Sequence, residues 1–294
     1  MPDRNQGTSA ARLKPAVILF TLLSFLFLVT WTFSPAMAAA GNGLLSHSDD
    51  NSATSKASAL APAVFLPLVI GEIDAPIPFG EVHTGEGTYY DATGAGNCSF
   101  DASPDNLMVA AMNYTDYDNA ALCGAYVQVT GPKGVVVVRI VDRCPQCPVG
   151  DIDLSQEAFA LIADLADGRV PISWRLVSLP LDGPIVYHFK EGSNQWWTAV
   201  QIRNHRNPIA RFEYLSSDGV FMEAPRTDYN YFVESSGMGP GPYTFRVTDV
   251  FGYTIIDSGV AHVENGDVTG SGQFPPPPQQ STAETKRIRR RDKR

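Results

Sequence analysis

Two aspartates and two adjacent tryptophans are the residues here whose types and spacing could do chemistry. Asp142 closes the apolar run GVVVVRIVD, and Asp153 follows a loop in GDIDLS. Two acids at strand ends, separated by a loop, suit acid chemistry on a glycosidic bond. One carboxyl donates a proton and the other serves as base or nucleophile. Each also has an ordinary explanation, because aspartate is favoured in turns and at helix N-caps. Trp196 and Trp197 sit side by side in EGSNQWWTAVQIRNH. A strand sends successive side chains to opposite faces. Either one ring is core and the other stray, or the pair forms a flat platform for a ligand.

The elements that must position these residues are mostly strands. NLMVAAMN, AYVQVTG, GVVVVRIVD and VPISWRLVSL are short β-rich runs punctuated by Gly, Pro and Asp. One helix is predicted, SQEAFALIADLADG, with Ser155 as cap, Phe159, Ile162 and Ala166 on one face, and Gly168 as its stop. Many short strands with one helix predict a small barrel rather than a βαβ sheet. After PLDGP, strands recur without a helix: IVYHFK, WTAVQIRN, IARFEYL, YNYFVES, YTFRVTDVFG and YTIIDSGVAHV. That rhythm predicts an antiparallel, immunoglobulin-like β-sandwich.

The flanks differ in composition. Arg4, Arg12 and Lys14 precede an apolar run over 16–33, and Ala36 and Ala38 fit a small-residue cleavage site. Residues 1–38 therefore read as a secretory signal peptide, with an uncleaved anchor as the alternative, and the protein is expected to be secreted and extracellular. Residues 39–80 read as a Ser/Ala/Pro-rich spacer, 81–179 as the barrel, 180–269 as the sandwich, and 270–294 as a disordered Pro-rich, basic tail. The tail residues 286–294 carry about +6 and residues 1–38 about +2, so the middle is near -17 on a net charge of -9. So acidic a body argues against nucleic acid as partner and leans toward neutral glucans. The cysteines Cys98, Cys123, Cys144 and Cys147 are even in number in an exported chain and predict two disulfides, with all three pairings open. A zinc site is the lesser alternative, because Cys98 and Cys123 lack knuckle spacing. Neither a metal nor a cofactor is expected.

The order of motifs, including CGAYVQVTGPKG, VRIVDRCP, KEGSNQWW, FEYLSSDG, DYNYFV and RVTDVFG, resembles bacterial expansins from Gly85 to about Val263. The resemblance implies an all-β protein, a six-stranded double-psi β-barrel followed by an immunoglobulin-like β-sandwich that binds carbohydrate. It implies that Thr88, Asp142 and Asp153 line a groove, with Asp153 the residue most needed for wall loosening. It implies that Trp196, Trp197 and Tyr229 are linear surface aromatics that lie along a glucan chain, with Lys190 adding a hydrogen bond. Cys144 stands where a groove tyrosine is found in the family's best-known bacterial form, so this chain loses a ring and hydroxyl there. The implied activity is binding to cellulose and related β-glucans and loosening of plant-type walls without hydrolysis, by a monomer. The alternative is a glycan-cleaving enzyme, an endoglucanase or a peptidoglycan lytic transglycosylase, with Asp153 as general acid. Asp91 in TYYDATG falls one place short of the position of an endoglucanase base and reads as an ordinary loop aspartate.

Overall fold

The computed structural model describes residues 75–278. The expected signal peptide, nearly all of the spacer and the basic end of the tail lie outside those residues. The first half holds β1 (Ile77–Pro78), β2 (His83–Tyr90), β3 (Val109–Asn113), β4 (Tyr126–Thr130), β5 (Val135–Cys144), β6 (Ile152–Ser155) and β7 (Val170–Ser178). Two helical turns interrupt them, α1 (Tyr114–Tyr117) and α2 (Gln156–Phe159). The sheet order is β1-β7-β2-β6-β3-β5-β4, and β4 pairs back to β7. Six strands thus close on themselves, which removes the exposed edges of an open sheet. β1 adds an edge outside the ring. Inward residues of the ring strands and of α2 meet in one core, including Val127, Val138, Ile140, Ile152, Leu154, Phe159 and Trp174.

The single long helix predicted after Ser155 is not formed. Ser155 caps as expected, its hydroxyl accepting from the Ala158 amide, but α2 lasts one turn. The Ile162 carbonyl is taken by the Lys133 amide at 2.8 Å, and Asp164 is extended. Asp164 and Asp167 then cap a separate 3-10 turn, Leu165–Asp167, which ends at Gly168. Tertiary bonds to the 131–134 turn outcompete helix propensity here.

The second half holds β8 (Val186–Phe189), β9 (Thr198–Arg203), β10 (Ile209–Leu215), β11 (Phe221–Glu223), β12 (Phe232–Glu234), β13 (Tyr243–Asp249), β14 (Thr254–Val260) and β15 (Asp267–Thr269). Two antiparallel four-stranded sheets, β11-β10-β13-β14 and β12-β9-β8-β15, make the sandwich. Its core is separate and aromatic: Tyr187, Phe189, Phe212, Phe232 and Phe245 pack together. The sandwich extends past its expected C-terminal boundary. Residues 270–278, placed with the tail, pack on the sandwich. Gly270 and Gly272 pair with Ile185, Phe274 is buried, and the Pro275 carbonyl accepts from Asn207. Burial of one phenylalanine, about 2 kcal/mol, anchors the segment.

All four cysteines are paired, Cys98 with Cys123 and Cys144 with Cys147. The zinc alternative is thereby set aside.

Candidate functional site

Strand register brings the residues expected to line a groove into a single row across four strands. β2 runs parallel to β6 with Thr88 opposite Asp153. β6 is antiparallel to β3 with Asp153 opposite Ala111. β3 is parallel to β5 with Ala111 opposite Asp142. The row therefore reads Thr88, Asp153, Ala111, Asp142. Ala111, itself buried, separates the two acids, whose backbones are two strand spacings apart, roughly 9–10 Å.

A bulge aims the second acid. Ala110 pairs with Ile140 but Ala111 pairs with Asp142, so Val141 is the extra residue. Ile140 and Val141 are both buried in sequence, and the phase change turns Asp142 onto the groove face. Asp142 Oδ1 then accepts from the amides of Asn97 at 2.6 Å and Arg143 at 2.8 Å. Gly96 backs it: a Cβ on Gly96 would lie 2.4 Å from Asp142 Cγ.

Asp153 Oδ1 accepts from the Thr88 hydroxyl at 2.6 Å. Burial raises the Asp153 pKa above the ordinary carboxyl range and Asp142 adds to the rise, while the Thr88 bond and Arg169 oppose it. Asp153 is thus the carboxyl of the pair that desolvation biases toward holding a proton.

Sequence reasoning missed Tyr90. It lies two residues after Thr88 on β2 and so shares its face. Its hydroxyl is buried without a partner among the described residues. Burial, then Asp142, then Asp153 raise its pKa well above the phenol range. Tyr90 thus brings a ring and hydroxyl to the face of β2 that carries Thr88. Cys144 itself is buried, and its bond to Cys147 fixes the loop after β5. The i, i+2 spacing of Thr88 and Tyr90 was the available signal. Asp91 lies past the end of β2, exposed, with its carboxylate bound by the Gln156 amide.

The tryptophans are not in a strand. They occupy a turn before β9, closed by Asn194, whose Oδ1 accepts from the Trp196 amide at 2.8 Å and whose carbonyl accepts from Trp197 and the Thr198 hydroxyl. A turn frees both rings from strand alternation. Trp196 is 73% exposed, while Trp197 and Tyr229 are half-buried. Tyr229 lies in the 224–231 loop, 6.0 Å ring to ring from Tyr231. The Lys190 ammonium sits over the Tyr231 ring at 5.7 Å.

A polar seam joins groove and platform. Asn97, whose amide holds Asp142, donates its side chain to the Asp228 carbonyl at 2.7 Å, and Tyr117 Oη donates to the same oxygen at 2.8 Å. Asn230 and Gln201 both donate to the Cys98 carbonyl. Arg226 donates to Ala120 O, and Arg203 pairs with Asp101 at 2.8 Å. The loop bearing Tyr229 is therefore clamped to the disulfide-bonded loop bearing Asn97. No set of three His, Cys, Asp or Glu among the described residues could hold a metal ion.

Comparison with known proteins places this arrangement. The family model described as lytic transglycolase matches residues 84–174, the barrel portion. The chain is similar to Expansin-YoaJ of Bacillus subtilis (strain 168), 35% identical over 228 residues, which cover 74% of this chain and 97% of that protein. It is similar to the crystal structure of apo expansin from Clavibacter michiganensis, at 36% identity and a TM-score of 0.63, covering 67% of this chain and 99% of that one. A mutant of that expansin in complex with cellohexaose matches at 35% identity, with the same TM-score and coverage.

Proposed function

This chain belongs to the expansin family, and we propose that it is a secreted, monomeric protein that binds cellulose and related β-glucans and loosens plant-type wall networks without hydrolysis. Residues 180–269, with the packed extension to 278, act as the carbohydrate-binding domain. Trp196, Trp197 and Tyr229 stack on the C–H faces of one glucan chain, and Lys190 meets a hydroxyl. The barrel, residues 81–179, holds a neighbouring chain in its groove through Thr88, Asp142 and Asp153. The two disulfides and the leader over 1–38 support export.

One observation carries the non-hydrolytic reading. Hydrolysis needs a carboxylate free to activate water or attack the sugar. Asp142 Oδ1 is committed to two backbone amides, and Asp91 is turned to Gln156 outside the row. Of the carboxylates near Asp153, Asp142 keeps only Oδ2 to act on water, and Asp91 stands outside the row. A carboxyl that burial biases toward its protonated form hydrogen-bonds sugar hydroxyls beside Thr88 and competes for the contacts between glucan chains.

The test is creep of heat-inactivated plant wall strips under constant load, with the bath assayed for reducing ends. Creep without released sugar is expected; creep accompanied by sugar release would overturn the non-hydrolytic reading. A second reading has its own support. The matched family description and the raised Asp153 pKa suit a lytic transglycosylase acting on peptidoglycan with Asp153 as general acid. Anhydro-sugar products from purified peptidoglycan would establish it.

A further inference from the structure

Among the cavities that groove and platform leave unused, one combines an exposed aromatic ring, a cation and carboxylates. It has a volume of about 350 Å³ and opens where Tyr114 and Arg143 of the barrel meet Asp228 of the sandwich, with Thr115, Asp118 and Asn119 also on its wall. Tyr114 is 64% exposed. The Arg143 guanidinium lies against its ring at 5.4 Å and against the Tyr117 ring at 5.6 Å. Arg143 offers five N–H donors and makes one long side-chain bond, from Nη1 to Asp228 Oδ2 at 3.4 Å. Its Nε is buried without a partner. Two rings fix the plane of this cation, and the Cys144–Cys147 bond fixes the backbone just beyond it. The far wall is equally fixed, since the Asp228 carbonyl accepts from Asn97 and Tyr117.

We propose that this cavity is a sugar subsite, distinct from groove and platform, that takes a neutral branch residue of a substituted β-glucan. The assignment rests on the reading of groove and platform as glucan-binding surfaces. The cavity lies on the seam between them, where a backbone engaged by both would present its side residues. Its chemistry is that of a polyol site. An exposed tyrosine face stacks on a pyranose. Adjacent hydroxyls take the Arg143 donors and the Asp228 carboxylate as a donor–acceptor pair, and Thr115 and Asn119 serve in either sense. Asp118 and Asp228 set two negative charges against the one of Arg143, so a sugar carboxylate meets like charge there.

The experiment is titration calorimetry of the full chain with three probes of one backbone length: an unbranched cello-oligosaccharide, the same backbone bearing xylosyl branches, and one bearing glucuronosyl branches. The expected result is a preference of about tenfold for the xylosyl probe over the unbranched one. Tyr114→Ala, a substitution at an exposed ring, erases that preference and leaves the unbranched probe unchanged. Trp196→Ala weakens both neutral probes alike. Equal wild-type binding of branched and unbranched probes, or a preference that survives Tyr114→Ala, overturns the subsite and leaves the platform standing. Tightest binding of the glucuronosyl probe overturns the neutral assignment. A Trp196→Ala protein that binds every probe like wild type removes the platform reading while the Tyr114 result still decides the subsite. No wild-type binding of any probe overturns both.

Discussion

Asp153 and Tyr90 illustrate how much a groove side chain owes to its register. Asp153 faces Thr88 because β2 and β6 are parallel and in step. A shift of one residue would bury the carboxyl in the core and expose Leu154. The proposed role requires a carboxyl, which can donate or accept at either oxygen as its proton moves, whereas an amide fixes its donor on nitrogen and its acceptor on oxygen. Asp153→Asn keeps size and removes ionisation, and Thr88 Oγ1 can still donate to the amide oxygen. Creep of wall strips is expected to fall to background, with cellulose binding within about twofold of wild type. Equal loss of both would show that the substitution unfolds the chain or that the two domains do not divide the work. Gly96→Ala tests the other acid without touching its chemistry. The added methyl must displace Asp142, so loosening should drop while cellulose binding persists. Both aspartates and Thr88 were legible in the motif order. Tyr90 was not, because HTGEGTYY has no apolar alternation to say which of its two tyrosines shares a face with the acids, and only Asp142 and Asp153, brought from other strands, mark it.

At the scale of elements, two local irregularities set the two surfaces. The extra residue Val141 turns Asp142 onto the groove face. The Asn194 turn holds Trp196 and Trp197 ahead of β9 rather than within it. Strand positions were legible from alternation and turn residues. The bulge was not, because VRIVD reads equally well as an unbroken strand. Nor was the break of the helix after α2, which depends on a bond from Lys133 that no local pattern announces. The tryptophan turn rests on Gly237, at φ 77°. A Cβ there would lie 2.0 Å from the Gln195 carbonyl oxygen and 2.6 Å from Trp196 C. The contact is with backbone, so it cannot be relieved by a rotamer. Gly237→Ala is expected to shift the turn, weaken cellulose binding about tenfold or more, and leave the barrel intact. Depletion assays on cellulose, with circular dichroism as the control for folding, measure this. Unchanged affinity would mean the turn's position does not govern binding.

At the scale of the whole molecule, the function proposed needs groove and platform held in fixed relation, and the junction of the two halves combines the polar seam with an apolar contact, Phe79 against Phe251 at 4.9 Å. His205 is its most acid-sensitive member. It is fully buried beside Gly124 and Phe100 of the barrel, with Nδ1 2.8 Å from the Asn207 carbonyl. Burial holds its pKa down at about 4, Arg226 and Arg139 press in the same direction, and the carbonyl of Asn207 opposes them. In the unfolded chain the imidazole titrates near 6.5. The unfolded state therefore takes up a proton that the native state refuses. His205 contributes its full share of stability above pH 6.5, and that share is lost progressively as pH falls from 6.5 to 4, to a limit of about 3 kcal/mol. For a body of this size such a loss lowers the melting temperature by roughly 6–12 °C. His205→Gln removes the titration but keeps a donor for Asn207. Its melting temperature is expected to start lower at pH 7 and to fall less between pH 7 and 4.5 than that of wild type. The carboxylates titrate in both proteins and cancel from the difference. Parallel pH profiles would show that acid weakens the molecule elsewhere. A smaller fall in the variant would locate the acid limit of the coupled surface at the seam, where a protonated imidazole faces Arg226 and Arg139 and pushes the platform from the groove it serves.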